Sequence, residues 1–199
     1  MVGFSDITAL HLALWKNTST VSLHGPCLGV DAARITARSI ESMRSALMLS
    51  ADTTIPLTPS NPTYTLCNLS EVVEGTLLGG NLSILATTIG TRNWPNMKDS
   101  ILLIEEVHES PYRVDRMLTY LHRCGAFGEV GAVLLGQFIG CEGAHSEPTV
   151  IDVLREAIGR YNIPAIGGLP VGHGVDSHTI PLGCQATIDP ERKSVDLRV

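Results

Sequence analysis

The clearest pattern in the chain is a change of hydrophobic period within residues 101–118, ILLIEEVHESPYRVDRML. Four apolar residues, Ile101 to Ile104, run directly into two carboxylates, Glu105 and Glu106. A continuous apolar run of that length, bounded by polar residues, predicts a buried strand. Ser110 and Pro111 then stand where an N-cap and a first helical residue belong. Val114, Met117, Leu118 and Leu121 follow at helical spacing and predict a helix over 111–123, closed by Gly125. A carboxylate is thereby placed at the C-terminal end of a buried strand, just ahead of a helix. Open α/β sheets gather their active sites at that edge. Burying a carboxylate is costly without a partner, so the pattern itself asks what the partner is.

The same reading extends along the chain. Residues 1–4 predict the end of a strand, followed by a sharp turn and a helix with Ile7, Leu10 and Leu14 as its apolar stripe. A strand usually needs about five or six residues, so the chain is expected to begin inside a structural unit. Residues 20–24 predict a short strand, broken by Gly25-Pro26. Asp31 suits the N-cap of a helix running to about Leu49, with Ile40, Met43 and Leu47 on one face. Residues 51–65 carry Pro56, Pro59 and Pro62 without a sustained period and predict a linker or an extended arm. Gly79-Gly80-Asn81 predicts a tight turn before a helix over 82–89. A second buried strand is expected at 131–138. A helix follows over 148–160, with Val150, Val153, Leu154 and Ala157 inward. A third strand region is expected at 163–171, and residues 185–189 and 194–199 should close as a hairpin. Strands alternating with helices predict an α/β fold.

Composition narrows the function. The 199 residues are 44% hydrophobic and 17% charged, which describes an ordered domain rather than a disordered chain. A net charge of −6 without a basic run argues against nucleic acid as a partner. No apolar stretch approaches the ~18 residues of a membrane span, and the first residues lack the n- and h-regions of a signal peptide. The five cysteines are widely spaced and form no CxxC pair. Buried thiols in a reducing cytoplasm are the expectation, rather than a zinc site.

Three residues stand out chemically. Ser5 lies between Phe4 and Asp6 at the expected strand-to-helix turn, where helix-N-terminal amides can hold an oxyanion. On the residues alone an ordinary Ser N-cap is the better reading of this position. His173 lies in GLPVGHGVD, where flanking glycines let the backbone bend sharply and a ligand approach, so it is a candidate general base. Glu105 and Glu106 are neighbours on a strand and point to opposite faces, so one of them at most can reach a given site. Their order, Ser then acid then His, is that of α/β-hydrolase triads. His11, His24, His122, His145 and His178 have no comparable setting, and His108 is expected to begin the turn after the strand. Arg113, Asp115 and Arg116 read as helix-surface ion pairing.

These blocks together resemble the LD-carboxypeptidases of murein recycling and the microcin-immunity peptidases of the same serine peptidase family. The resemblance rests on GFSDITAL at 3–10, HGP at 24–26, LLGGNLSIL at 77–85 and the 101–118 block. It continues through GAVLLGQFIGCE at 131–142, IPAIGGLPVGHG at 163–174 and IPLGCQATID at 180–189. It implies Ser5 as nucleophile, Glu105 rather than Glu106 as the acid orienting the histidine, and His173 as base, with the Asp6 amide as an oxyanion donor. The implied reaction is hydrolysis of the amide between an L-centre and a terminal D-amino acid of cytoplasmic murein tetrapeptide, with no metal or organic cofactor. A homodimer is implied, as are a small peptide substrate and neither nucleic acid nor membrane as partner. The family carries a further segment ahead of its GFSD-type block, forming most of a Rossmann-like domain. Residues 1–50 are therefore expected to be the remnant of that domain, 51–74 a linker, and 75–199 a smaller α/β C-terminal domain. Two alternatives remain: cleavage of acylated nucleotide antibiotics, and a truncated non-catalytic remnant or a module that needs a partner.

Overall fold

The computed structural model describes residues 1–26, 35–50, 52–60, 66–143 and 148–199. Among them the strands are β1 (Val2–Gly3), β2 (Ser22–His24), β3 (Thr54–Leu57), β4 (Leu66–Cys67), β5 (Val73–Asn81) and β6 (Ile101–Val107). The remaining strands are β7 (Ala132–Ile139), β8 (Ala165–Gly167), β9 (Ile180–Leu182), β10 (Gln185–Asp189) and β11 (Ser194–Arg198). The helices are α1 (Thr8–Thr18), α2 (Ala37–Leu47), α3 (Leu82–Thr88), α4 (Pro111–Arg123), α5 (Ala126–Glu129) and α6 (Val150–Tyr161), and a 3-10 turn at Ser5–Ile7 leads into α1. No helix among the described residues is long and apolar enough to cross a membrane.

The fold is α/β, built on two sheets. The larger has the order β3-β11-β10-β5-β6-β7-β8-β4. Its centre, β5 to β8, is parallel, because each strand returns through a helix that covers the sheet. Parallel strands buried on both faces need continuous apolar runs, and Ile101, Leu102, Leu103 and Ile104 are all fully buried. Their side chains alternate between two cores. Leu102 and Ile104 pack with Val114, Leu118 and Leu121 of α4 and with Val153, Leu154 and Ala157 of α6. Ile101 and Leu103 pack with Leu134, Ile180, Ile188 and Val195 on the other face. Residues 111–123 form the helix the spacing predicts, and Gly125 follows it in the left-handed region. The helix near 148–160 starts two residues later, because Thr149 and Asp152 close a capping box.

The smaller sheet has the order β1-β2-β9. β1, α1 and β2 form one parallel βαβ unit, the unit from which Rossmann-like sheets are assembled. β9, from near the other end of the chain, pairs antiparallel with β2. Two backbone bonds, Leu77 N–H to Cys184 O at 2.9 Å and Gly183 N–H to Leu77 O at 2.7 Å, then tie the segment after β9 to β5 of the large sheet.

Several expectations need correction. The buried face of α1 is Thr8, His11 and Leu12, and Leu10 is exposed. The helix spends its polar residues on hydrogen bonds to the strands: Thr8 Oγ accepts from Asn81 N–H at 3.0 Å. Helix α2 buries Ser39, Met43 and Ala46, while Ile40 and Leu47 are more than half exposed. Small residues on that face allow close approach, and Ser42 Oγ accepts from Thr179 N–H. Thr36, not Asp31, caps α2, its side chain accepting from Ser39 N–H; Asp31 lies outside the described residues. Gly79-Gly80-Asn81 is the end of β5 rather than a turn. Both glycines have positive φ, and a Cβ on Gly80 would fall 2.4 Å from Thr8 Oγ, so glycine lets this strand end dock on α1. Asn81 then caps α3. Of the 51–65 stretch, the described residues 54–57 form β3, which pairs with β11, and β4 just beyond it pairs with β8.

Because Leu103 is fully buried at the centre of the parallel sheet, Leu103→Ala is expected to cost about 2–5 kcal/mol of stability. Urea unfolding followed by circular dichroism reads this directly. A loss within the ~0.5 kcal/mol typical of surface changes would show that β6 is not the core strand described.

Candidate active site

The nucleophile turn is built by short-range constraints. Phe4 is extended, at φ −148° and ψ −170°. Ser5 then turns sharply, at φ +57°, a region a non-glycine residue enters at a cost of ~1–3 kcal/mol. The Ile7 N–H bonds back to Phe4 O at 3.1 Å and closes the 3-10 turn. The residue before this turn is fixed from two sides. Gly3 O accepts from Gly25 N–H at 3.0 Å and from His11 Nε2 at 3.0 Å. Ser5 is half-buried and Asp6 exposed. The Asp6 N–H lies in the first turn of the helical segment, where backbone donors have no intrahelical partner.

Glu105 and Glu106 divide as strand geometry requires. Glu106 faces α3, where its carboxylate accepts from Asn81 Nδ2, Ser83 N–H, Ser83 Oγ and its neighbour Val107 N–H at 2.7–2.9 Å. It holds the start of α3 in place. Glu105 faces the other way and is fully buried. Its Oε2 accepts from His173 Nδ1 at 2.6 Å. Burial pushes the Glu105 carboxyl up, but the hydrogen bond from His173 and the proximity of His24 outweigh it, so the group is held below the usual carboxylate range.

His173 comes from a loop shaped for this contact. Gly172 has φ +135°, and a Cβ there would lie 2.8 Å from Glu105 Oε2, so a side chain would push the acid aside. Gly172 N–H donates to Ser177 Oγ at 3.0 Å. Gly174 N–H donates to Gln137 Oε1 at 2.8 Å, and Gln137 N–H to Val171 O at 2.7 Å. With Nδ1 donating to Glu105, Nε2 is the nitrogen available as a base. The Phe4 ring lies 4.4 Å, centroid to centroid, from the His173 imidazole. The residue next to Ser5 therefore packs on the candidate base.

The fold thus gathers Ser5 and Asp6, Glu105 and His173 into one region from three separate segments. Two histidines passed over in the sequence join them. His24 is fully buried, with Nε2 3.7 Å from Glu105 Oε1; the HGP block at 24–26 was the signal for it. His11 is buried and holds Gly3 O and Ser22 Oγ. Of the α4 charges expected to pair, Arg113 pairs with Glu109 at 3.2 Å and Asp115 with Arg160 at 3.6 Å, whereas Arg116 lies over the Tyr112 ring, 5.3 Å from its centroid. His108 begins the turn after β6, as expected, with φ +58°. Among the described residues, no three His, Cys, Asp or Glu side chains are grouped to hold a metal.

The family model for the LD-carboxypeptidase C-terminal domain matches residues 74–188, more than half of the chain, and the chain belongs to that family. It is 31% identical, over 96% of its own length, to the murein tetrapeptide carboxypeptidase of Pseudomonas aeruginosa, of which it covers 63%. The crystal structure of muramoyltetrapeptide carboxypeptidase from Oxalobacter formigenes superposes with a TM-score of 0.85 at 31% identity, covering 100% of this chain and 68% of that one. The microcin C7 self-immunity protein MccF in complex with glutamyl sulfamoyl guanosine superposes equally well, at 0.85 and 25% identity, covering 100% and 67%. The chain spans about 60% of the length of the curated relatives it matches.

Burial lowers the pKa of His11 from 6.5 to about 4, against the raising effect of its bond to Gly3 O. As pH falls, the unfolded chain takes up this proton first. Stability from neutral His11 is therefore complete above pH 6.5 and is lost down to about pH 4. The shift amounts to about 3 kcal/mol. Denaturant titrations across that range should show a loss of this size in the wild type that is absent in His11→Gln. Parallel curves for the two proteins would refute the assignment.

Proposed function

We propose that the chain carries the catalytic apparatus of a serine LD-carboxypeptidase. The observation that carries this reading is the 2.6 Å bond from His173 Nδ1 to the buried Glu105, with the nucleophile turn packed on the same imidazole. Ser5 Oγ attacks the carbonyl carbon while His173 Nε2 takes its proton. Glu105 fixes the imidazole tautomer and stabilises the imidazolium that forms. The Asp6 N–H donates to the developing oxyanion. His173 then passes the proton to the leaving amine, and water attacks the acyl-serine by the reverse route.

The substrate in this reading is murein tetrapeptide, cleaved before its terminal D-alanine in the cytoplasm by a homodimeric enzyme. The names and sequence identities of the murein-peptide relatives support it. Residues 1–50 supply the nucleophile, 75–199 the acid and base, and 51–74 join them. A second reading, cleavage of aminoacyl sulfamoyl nucleotides, is favoured by the likeness to MccF bound to such a compound.

The test is release of D-alanine from murein tetrapeptide, set beside hydrolysis of glutamyl sulfamoyl guanosine. Wild type is expected to release D-alanine. Ser5→Ala is expected to lose turnover by about 10⁶-fold and Glu105→Gln by about 10⁴-fold. Cleavage of the nucleotide conjugate alone would select the second reading. Folded protein that cleaves neither substrate would overturn the catalytic reading of this chain.

A further inference from the structure

The triad leaves two buried polar groups at its edge without hydrogen-bond partners. Glu105 Oε1 has no hydrogen-bond partner, and neither nitrogen of His24 has one. All three atoms are shielded from water, yet His24 Nε2 stands 3.7 Å from Glu105 Oε1, with both side chains at 0% exposure. That separation exceeds the usual N–H···O range by about 0.5 Å. A buried donor and a buried acceptor that face each other are both costly unpaired and favourable paired.

We infer that His24 is a positioning residue of this site, its Nε2–H donating to Glu105 Oε1 so that the carboxylate stays ionised and keeps Oε2 aimed at His173. The inference rests on the triad reading for its catalytic consequence, though not for its structural one. The backbone supports the placement. His24 is held on both sides, paired with Gly3 of β1 and Ile180 of β9. Gly3 is two residues from Ser5, so one strand braces the nucleophile turn through its backbone and the acid through its side chain.

The charged surroundings of Glu105 make the direction of the effect definite. Among the described residues, its ion-pair partners are the two imidazoles of His173 and His24. His11 lies beyond, its ring 6.3 Å from that of His24, and is itself bonded to Gly3 and Ser22. Glu106 points to the opposite face of the sheet. A donor on Oε1 favours the anion, so its removal lets Glu105 take a proton at higher pH. A protonated Glu105 no longer stabilises the imidazolium on His173, and activity should fall from the acid side.

The experiment compares wild type, His24→Leu and His24→Gln. Leucine removes the N–H, whereas the glutamine amide sits near the place of Nε2. The Glu105 carboxyl is followed by carbon-13 NMR, its signal assigned by its loss in Glu105→Gln. It should titrate at higher pH in His24→Leu and return toward the wild-type position in His24→Gln. The acid limb of kcat/KM for D-alanine release should move in the same order, with kcat of His24→Leu down about tenfold at neutral pH, the loss expected for one hydrogen bond to a charged group, and KM unchanged. Folded His24→Leu with an unshifted Glu105 titration overturns the proposal. Should His24→Leu not fold, nitrogen-15 spectra of wild-type histidines decide: His24 protonated on Nε2 supports it, and on Nδ1 alone refutes it. A shifted carboxyl in a chain that releases no D-alanine would sustain the role of His24 while refuting the proposed activity.

Discussion

Everything near the site follows from burying one carboxylate at the end of a parallel strand. An isolated carboxylate at 0% exposure is strongly unfavourable. Glu105 is tolerated because His173 donates to it at 2.6 Å and because a second imidazole stands on its other side. That requirement propagates outward. His173 must arrive on a loop narrow enough to reach the acid, which excludes a side chain at Gly172. His24 must arrive on a strand held from both sides, which needs β9 to return from near the other end of the chain. The small sheet is therefore the means by which segments distant in sequence converge on one carboxyl group.

The neighbouring carboxylate shows how sharply strand geometry sorts function from structure. Glu106 is also buried but faces the helical layer, where three donors from Asn81 and Ser83 join the N–H of its strand neighbour Val107 in satisfying it. Those donors fix Asn81 and Ser83 at the start of α3. Asn81 in turn donates its N–H to Thr8 at the start of α1, the helix that follows the nucleophile turn. One carboxylate thus holds a candidate base, and the adjacent one holds the scaffold under the candidate nucleophile. The two roles differ only by the pleat of the strand.

Much of this was legible in the sequence where burial is uniform. The run from Ile101 to Ile104, the stripes of α4 and α6 and the hairpin of β10 and β11 have strong periodic signals because each packs against a continuous apolar surface. Helices α1 and α2 misled, since they pack against strand ends and a loop through Thr8, His11, Ser39 and Ser42. Hydrophobic periodicity does not register a face that is buried by hydrogen bonding. Strands β3, β4 and β9 have two to four residues, and pairing with distant strands, rather than local composition, makes them strands. In the site, Ser5, Glu105 and His173 carried local signals of a turn, a strand end and flanking glycines. His24 carried none beyond a following glycine and proline, because its significance lies in facing a residue 81 positions away in sequence.

The convergence also explains why the site is held so redundantly. Ser5 sits in a backbone region that costs energy, and such a conformation persists only when its surroundings over-determine it. Gly3 O is held by two donors, Phe4 packs on His173, and α1 is pinned to the end of β5. The His173 loop is anchored separately, by Gln137 from β7 and by α2, whose Thr36 bonds to Asp176 and whose Ser42 receives Thr179 N–H. Each anchor comes from a different segment, so none fixes the geometry between nucleophile, base and acid by itself. The link between them runs through β2, which lies between β1 and β9. The pairing of these three short strands therefore joins the nucleophile turn to the segment that follows the His173 loop, while β6 of the large sheet supplies the acid.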